Sequence, residues 1–202
     1  MNDAHGNHGQ ATGDYGPSER RLLLDLARRT VVNVVERGSY PKIDPDSLPG
    51  TLKENRACFV TLTKKGALRG CIGGLTPTEP LWMAVMHMAR AAALEDGRFD
   101  PIDSDELQDL RVEISVLALP KKLEYTSADD LPRKLRPGVD GVILKSGWRR
   151  ATFLPQVWSQ LPDKEAFLSR LCAKAGISPD AWKKEDLEVE VYQVDAFSEE
   201  SL

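Results

Sequence analysis

The segment ACFVTLTKKGALRGCIG, residues 57 to 73, decides the fold because it reads as two strands joined by a tight turn. Apolar and polar residues alternate in both halves, which is the period of a half-buried strand. Lys64, Lys65 and Gly66 form a three-residue connection whose glycine can take the left-handed conformation that closes such hairpins. The segment is therefore predicted to be an antiparallel hairpin with strands over 57 to 63 and 67 to 73.

The turn also predicts the register of this hairpin. The opposed pairs are Thr63 and Ala67, Thr61 and Arg69, Phe59 and Cys71, and Cys58 and Ile72. One face is then almost entirely apolar and is predicted to pack on the core: Cys58, Val60, Leu62, Leu68, Gly70 and Ile72. The other face carries Phe59, Thr61, Thr63, Ala67, Arg69 and Cys71.

Arg69 and Cys71 carry the chemistry of the hairpin. They emerge on the same face, with their Cα atoms about 7 Å apart. A permanent cation nearby favours the thiolate over the thiol, and the thiolate is the form that attacks electrophiles. Cys71 is therefore a candidate nucleophile, although the alternative that it only fills space beside Phe59 is equally open. Cys58, on the apolar face, is predicted to be inert.

A buried helix is predicted directly after the hairpin, over 79 to 95. Its residues are apolar almost all round, and Thr78 is a natural N-cap. His87 is the one histidine of this helix and the only histidine after residue 10. A single histidine of this kind is more often a hydrogen-bonded structural residue than a catalytic base.

Outside the hairpin and its helix, periodicity and turn residues predict the remaining elements. A first helix begins after Ser18 as N-cap, runs to residue 36 and ends at Gly38. Further strands are predicted at 111–119, 140–146, 149–154 and 187–196. Further helices are predicted at 127–135 and 155–175, the latter divided at Pro162 and Asp163. Because helices and strands do not alternate regularly, the class is α+β, a mostly antiparallel mixed sheet with flanking helices.

Composition and charge narrow the classes of function. The 202 residues carry a net charge of -4, with a pI near 5.5, which disfavours nucleic-acid binding. No apolar stretch is long enough to span a membrane and no signal peptide is evident, so a cytoplasmic location is expected. The three cysteines lack the close spacing of structural zinc sites, and neither a metal nor a cofactor is predicted.

Two parts of the chain differ in their ability to form a core. Residues 1–17 hold four glycines and almost no large apolar side chain, so they are predicted to be a disordered tail. Residues 18–202 are predicted to form a single domain.

Five motifs together resemble the AMMECR domain family, of the AmmeMemoRadiSam system protein A type. They are LRGCIG at 68–73, DGRFDP at 96–101, EISVL at 113–117, DGVIL at 140–144 and ATFLPQVW at 151–158. The resemblance covers about residues 20–200 and implies two unequal lobes with LRGCIG lining the cleft between them. It also implies Memo-like and radical S-adenosylmethionine proteins as partners, but it implies no particular reaction.

Two hypotheses of function follow for the hairpin face that carries Arg69 and Cys71. In the first, an enzyme, Cys71 reacts, Arg69 and Arg98 hold an anionic or carbonyl-bearing substrate, and Glu113 carries protons. In the second, a non-catalytic adaptor module, the same surface binds a small ligand or a partner, and glycines admit close backbone approach. The predicted ligand-binding residues are Arg69, Gly70, Gly73, Arg98, Arg149 and Thr152.

Overall fold

The computed structural model describes residues 15–184 and 187–201 and confirms the α+β class. The chain divides into two compact units, the first from Met1–Val116 with Asp195–Leu202 and the second from Leu117–Val194. Residues 1–14 of the predicted disordered tail lie outside the described residues. Tyr15 is buried in the core of the first unit, and the first helix begins at Pro17.

The helices are α1 (Pro17–Arg37), α2 (Leu81–Leu94), α3 (Asp130–Lys134), α4 (Lys164–Lys174) and α5 (Ala181–Lys184). The strands are β1 (Ala57–Lys64), β2 (Ala67–Gly73), β3 (Leu110–Leu117), β4 (Lys121–Lys122), β5 (Gly141–Ser146), β6 (Arg149–Phe153), β7 (Glu188–Tyr192) and β8 (Val194–Ser198). Short 3-10 turns lie at Pro45–Ser47, Gly50–Lys53, Ser104–Glu106 and Pro155–Ser159. The strands form two four-stranded sheets, ordered β2-β1-β3-β8 and β4-β7-β5-β6.

Helix α1 begins two residues earlier than its sequence predicts. Gly16 is the N-cap in place of Ser18, and its N–H donates to the Glu19 carboxylate at 2.8 Å. Pro17 opens the helix, where its missing N–H costs nothing. Gly38 ends the helix as predicted, with φ at 65°.

Helices α1 and α2 cover one face of the first sheet. Val60 and Leu62 of β1 are fully buried against this layer, together with Leu81 and Val85 of α2. Helix α2 begins at Leu81 with Pro80 as its N-cap, so the prediction of Thr78 was wrong. The outer face of the sheet, opposite α2, is left to the polar residues that the strand alternation places there.

The second unit packs its helices on the second sheet. Trp158 and Phe167 stack at 3.6 Å between ring centroids in a core that includes Val142 and Leu144 of β5. The predicted division of 155–175 is confirmed, because a 3-10 turn precedes α4 and the Asp163 carboxylate caps it by accepting from the Ala166 N–H at 2.8 Å.

One predicted strand, 187–196, proves to be two. The chain breaks at Gln193, so that β7 and β8 belong to different sheets. The Gln193 carbonyl accepts from the Ala118 N–H at 2.9 Å, and its amide donates to Asp140 at 3.3 Å. An unbroken alternation of residues does not reveal a change of sheet.

Candidate functional site

The predicted register of the β1–β2 hairpin is wrong. Its turn has two residues, Lys65 and Gly66, both with positive φ (51° and 81°), and Lys64 pairs with Ala67. The ladder then shifts, because Leu68 pairs with Thr63 whereas Gly70 pairs with Leu62. Arg69 is the extra residue of a β-bulge. Cys71 consequently lies opposite Thr61, two places from the predicted partner Phe59.

The bulge also corrects the predicted faces of the hairpin. Leu68, predicted to be on the core face, is 42% exposed because it pairs with the outward residue Thr63. Gly70 still faces the core, and Cys71 faces outward beside Thr61. The Thr61 hydroxyl donates to Cys71 Sγ at 3.3 Å.

Both backbone groups of Cys71 are bonded by side chains from the segment after α2. Its N–H donates to Asp96 Oδ2 at 2.8 Å, and its carbonyl accepts from Arg98 Nη2 at 3.2 Å. Arg98 in turn clasps Asp96 through Nε and Nη2, at 2.9 and 2.7 Å. Cys71 is therefore held by its main chain while its half-buried thiol remains on the outer face.

Hydrogen bonds around Cys71 shift the pKa values of Asp96 and Arg98 so that both side chains stay charged. The guanidinium of Arg98 and the Cys71 N–H hold the pKa of the buried Asp96 carboxyl well below its usual range. The pKa of Arg98 is raised, first by its hydrogen bond to Asp96, and Cys71 contributes to the same direction. The Arg98 side chain remains 56% exposed. Sequence reasoning missed Asp96, although an aspartate in a turn of the form Asp-Gly is a common backbone anchor.

Arg69 is engaged inside the protein. Its guanidinium meets the Glu106 carboxylate through Nε and Nη2, at 3.0 and 2.7 Å, and its Nη1 donates to the Asp100 carbonyl at 2.8 Å. The Arg69 side chain is only 16% exposed, and the cation beside Cys71 is Arg98. The role of Arg69 that is evident here is to hold the 100–106 segment against β2.

The two cations that bond to Glu106 make the stability of the fold sensitive to acid. Hydrogen bonds from Arg69 and Lys64 lower the pKa of Glu106 from 4.5 to about 2, against the opposing effect of burial. Between these two values the unfolded chain binds a proton that the folded chain does not, so acid favours unfolding. The stabilisation from Glu106 is therefore complete above about pH 4.5 and is lost as the pH falls toward 2.

This reasoning predicts a pH-dependent difference between the wild type and Glu106→Gln. The midpoint of urea unfolding should be higher for the wild type at pH 5 to 7, by the equivalent of about 1–3 kcal/mol for a charge-assisted hydrogen bond. The gap should close as the pH approaches about 2, because the wild-type carboxylate is then protonated. A gap of constant size across this range would contradict the assignment.

Glycines at two predicted ligand positions are explained by packing. A Cβ on Gly70 would lie 2.1 Å from the Ala92 carbonyl oxygen of α2. A Cβ on Gly73 would lie 2.3 Å from the Phe59 ring and 2.5 Å from the Cys58 carbonyl oxygen. The lack of a side chain at Gly70 and Gly73 therefore makes room for neighbouring parts of the protein itself. Their role in binding a ligand stays a prediction.

Glu113 shares the outer face of the first sheet with Cys71. Val112 and Ile114 of β3 are buried in the core, so Glu113 between them faces the opposite way, and it is exposed. Strand β1 lies between β2 and β3, which puts the two backbones about 10 Å apart at neighbouring-strand spacing. The role of Glu113 as a proton carrier stays a prediction.

Arg149 and Thr152 lie on β6 of the second unit. Arg149 Nη1 donates to the Gly176 carbonyl, and its guanidinium lies 5.3 Å from the Trp148 ring centroid. The Thr152 hydroxyl and the Tyr192 hydroxyl are 3.2 Å apart. These contacts account for both side chains within the second unit, and their ligand-binding role stays a prediction.

His87 has a carboxylate partner that the sequence did not reveal. Its Nδ1 lies 2.9 Å from the Glu79 carboxylate, and its ring contacts Tyr40 edge-on at 5.6 Å. The hydrogen-bonded structural role favoured for His87 agrees with this geometry. Glu79 also contributes to the chemistry of Cys58, because burial first and Glu79 second raise the pKa of that thiol to about 12.

The described part of the chain contains neither a metal-binding cluster nor a membrane-spanning helix. Among residues 15–184 and 187–201, no group of three or more His, Cys, Asp or Glu side chains is arranged to hold a metal ion. Within those same residues, no helix has the length and apolar character needed to cross a bilayer.

These contacts define an α+β protein whose first unit presents a half-buried thiol on a bulged edge strand, braced by a carboxylate–arginine pair. The AMMECR1 family model matches residues 24–197, and the chain belongs to this family.

Relatives of known sequence or structure cover nearly the whole chain. A protein of Methanothermobacter thermautotrophicus is 42% identical over 92% of this chain and 98% of its own length. A protein of Methanosarcina acetivorans is 40% identical over 83% of this chain and 85% of its own. The crystal structure of an uncharacterized protein from Pyrococcus horikoshii matches with a TM-score of 0.75 and 37% identity, over 91% of this chain and 93% of that one.

Proposed function

We propose that this protein is a thiol-dependent enzyme in which Cys71 reacts with a small, anionic, carbonyl-bearing substrate. The observation that carries the proposal is the placement of Cys71, whose thiol lies on the outer face beside the Thr61 hydroxyl while Asp96 and Arg98 fix its backbone. The bond from the Thr61 hydroxyl holds the sulfur in one orientation on that face. The exposed Arg98 guanidinium supplies a cation for the substrate's anionic group.

The minimal reaction is addition of the thiol across the carbonyl. Sulfur forms a bond to the carbonyl carbon, and the π electron pair of the carbonyl moves to its oxygen. The thiol proton leaves to water, and the oxygen takes a proton from water, so the step needs no oxidant or reductant. Glu113 would exchange these protons through water, because β1 separates it from Cys71.

The family resemblance adds partners to this proposal, and the expectation drawn from the sequence adds a location. We propose that the protein works in the cytoplasm alongside Memo-like and radical S-adenosylmethionine proteins. A substrate already modified by a radical enzyme is one source of the reactive carbonyl group that Cys71 would meet.

A non-catalytic binding module is the second candidate. It is favoured by one observation: within residues 15–184 and 187–201, no histidine or carboxylate that could act as a base is hydrogen-bonded to Cys71 Sγ, whose partners are the Thr61 hydroxyl and Arg98. The nearby carboxylates are already paired: Asp96 with Arg98, and Glu106 with Arg69. A surface whose side chains are held in place by such ion pairs can bind a ligand or a partner without a reacting group.

Alkylation of the native protein distinguishes the two candidates. If Cys71 is an enzyme nucleophile, iodoacetamide should label it at pH 7 faster than it labels N-acetylcysteine amide, because such a nucleophile is activated by its surroundings. Cys58 and Cys172, 2% and 0% exposed, should stay unlabelled until urea unfolds the protein. Rates are read for each cysteine by peptide mass spectrometry.

Thr61→Val is the matched control, since it removes the hydroxyl and keeps the shape of the side chain. It should slow the labelling of Cys71 and leave the urea midpoint almost unchanged. If Cys71 reacts more slowly than the free thiol in both proteins, the enzyme proposal fails and the binding module remains.

A further inference from the structure

Strand β2 is the edge of its sheet. The order β2-β1-β3-β8 leaves the side of β2 away from β1 without a neighbouring strand in the described sheet. The N–H and C=O groups on such an edge are a template for another strand, and proteins protect themselves by covering, bulging or charging the edge. The residues that bond this edge therefore bear on association between molecules.

Cys71 is a residue of β2 whose backbone polar groups point away from β1. Its N–H and its carbonyl bond to side chains of Asp96 and Arg98, not to β1. Thr61 and Cys71 therefore form the pair in the antiparallel ladder that does not exchange hydrogen bonds. Both backbone polar groups of Cys71 therefore face the outer side of β2, where Asp96 and Arg98 bond them.

Asp96 and Arg98 imitate a missing strand at this position. The carboxylate accepts from the Cys71 N–H and the guanidinium donates to the Cys71 carbonyl, which is the pair of bonds one residue of an antiparallel neighbour would make. Arg98 also holds Asp96 through its own N–H at 3.2 Å. The two side chains thus satisfy the edge without extending the sheet.

The covering continues along β2. Arg69, at the bulge, donates to the carbonyl of Asp100 and bonds to the carboxylate of Glu106. Residues 96–106 are therefore fastened to β2 at Cys71 and again at Arg69. We call this segment the edge guard.

We propose that the edge guard prevents β2 from pairing with β2 of a second copy of this chain. A freed Cys71 offers one donor and one acceptor, and the Cys71 of a second copy offers the same two groups. They complement each other when a two-fold axis passes between the two residues, which is the closed symmetry of most dimers.

This arrangement has a covalent signature. In a hydrogen-bonded antiparallel pair the two Cα atoms are about 5.5 Å apart, which lies within the range that a disulfide spans. Release of the edge guard should therefore bring Cys71 of one copy within reach of Cys71 of another. Oxidation would join the two sulfurs, with loss of two protons and of two electrons to the added oxidant.

The test uses the full chain with Asp96→Ala, which removes the acceptor and frees Arg98. Sedimentation velocity measures dimer content, and copper–phenanthroline in air supplies the oxidant for cross-linking. Because an uncovered edge strand pairs readily, we expect an about tenfold larger dimer fraction than in the wild type, linked through Cys71 on both chains. With Cys71→Ser added, the dimer should persist in sedimentation but lose its covalent link.

The controls separate release of the edge from loss of the fold. Asp105→Ala removes one negative charge from an exposed position within the same segment and should behave as the wild type. Disulfides at the buried Cys58 or Cys172 would report unfolding. Should Asp96→Ala unfold, Arg98→Ala serves instead. It removes the donor to the Cys71 carbonyl and the clasp on Asp96 but leaves the Asp96 carboxylate to accept from the Cys71 N–H, so it should give a smaller rise. If every folded variant stays as monomeric as Asp105→Ala, the proposal is overturned.

Discussion

Gly70→Ala is expected to lower the free energy of unfolding by about 3 kcal/mol or more, at the upper end of what overpacking costs. The new Cβ would lie 2.1 Å from the Ala92 carbonyl oxygen and 3.1 Å from the carbonyl carbon. These are backbone atoms of α2, so the contact is relieved only if the helix and β2 move apart. Gly70 does not have a positive φ, which leaves packing as the whole of the effect.

Urea unfolding of Gly70→Ala and Gly74→Ala together measures this effect. Gly74 has nothing within 4 Å of its Cβ position, so its substitution should change the free energy of unfolding by less than about 0.5 kcal/mol. Because Cys71 follows Gly70 directly, Gly70→Ala should also disturb the thiol environment and change the alkylation rate of Cys71. Equal stability of the two variants would contradict the close approach of α2 to β2.

Trp158→Ala is expected to cost about 3–5 kcal/mol, as for other large aromatic residues removed from a core. Trp158 is 3% exposed and stacks on the fully buried Phe167, with an angle of 3° between the ring planes. Its Nε1 also donates to the Asp140 carbonyl at 2.7 Å. The substitution therefore removes both the stacked ring and a buried hydrogen bond.

Trp158→Phe divides these two contributions. Phenylalanine keeps a ring over Phe167 but cannot donate to the Asp140 carbonyl. It should therefore lower the free energy of unfolding by less than Trp158→Ala does, and about 1 kcal/mol of that loss is due to the hydrogen bond. Far-UV circular dichroism during urea unfolding gives the stability of each variant, and near-UV spectra report the loss of ring packing. A cost for Trp158→Ala no greater than that for Trp158→Phe would show that stacking contributes little.

The positions of most elements could be predicted because they depend on local pattern. Alternation over 57–63 and 67–73 predicts β1 and β2, and the structure places them at Ala57–Lys64 and Ala67–Gly73. Asp163 predicts the start of α4 because a carboxylate that accepts from a helix N–H acts within one turn. Strand positions and helix starts of this kind depend on interactions between residues that are close together in the sequence.

The register of the hairpin could not be predicted from the same letters. A two-residue turn and a three-residue turn both suit Lys-Lys-Gly, and the choice depends on where the bulge falls. Arg69 becomes the bulged residue in a structure where its guanidinium finds Glu106, 37 positions further along the chain. That contact exists only once the segment after α2 lies against β2.

The sequence by itself determined the α+β class, the family, the hairpin and the outward position of Cys71, since each follows from a short pattern of residues. Only the tertiary structure decided which charges surround the thiol. It assigned Arg69 to Glu106 and Arg98 to Asp96, and it placed Asp96 on the Cys71 N–H. Hydrogen bonds and ion pairs of this kind join residues far apart in sequence, and their strength depends on distances that folding alone creates.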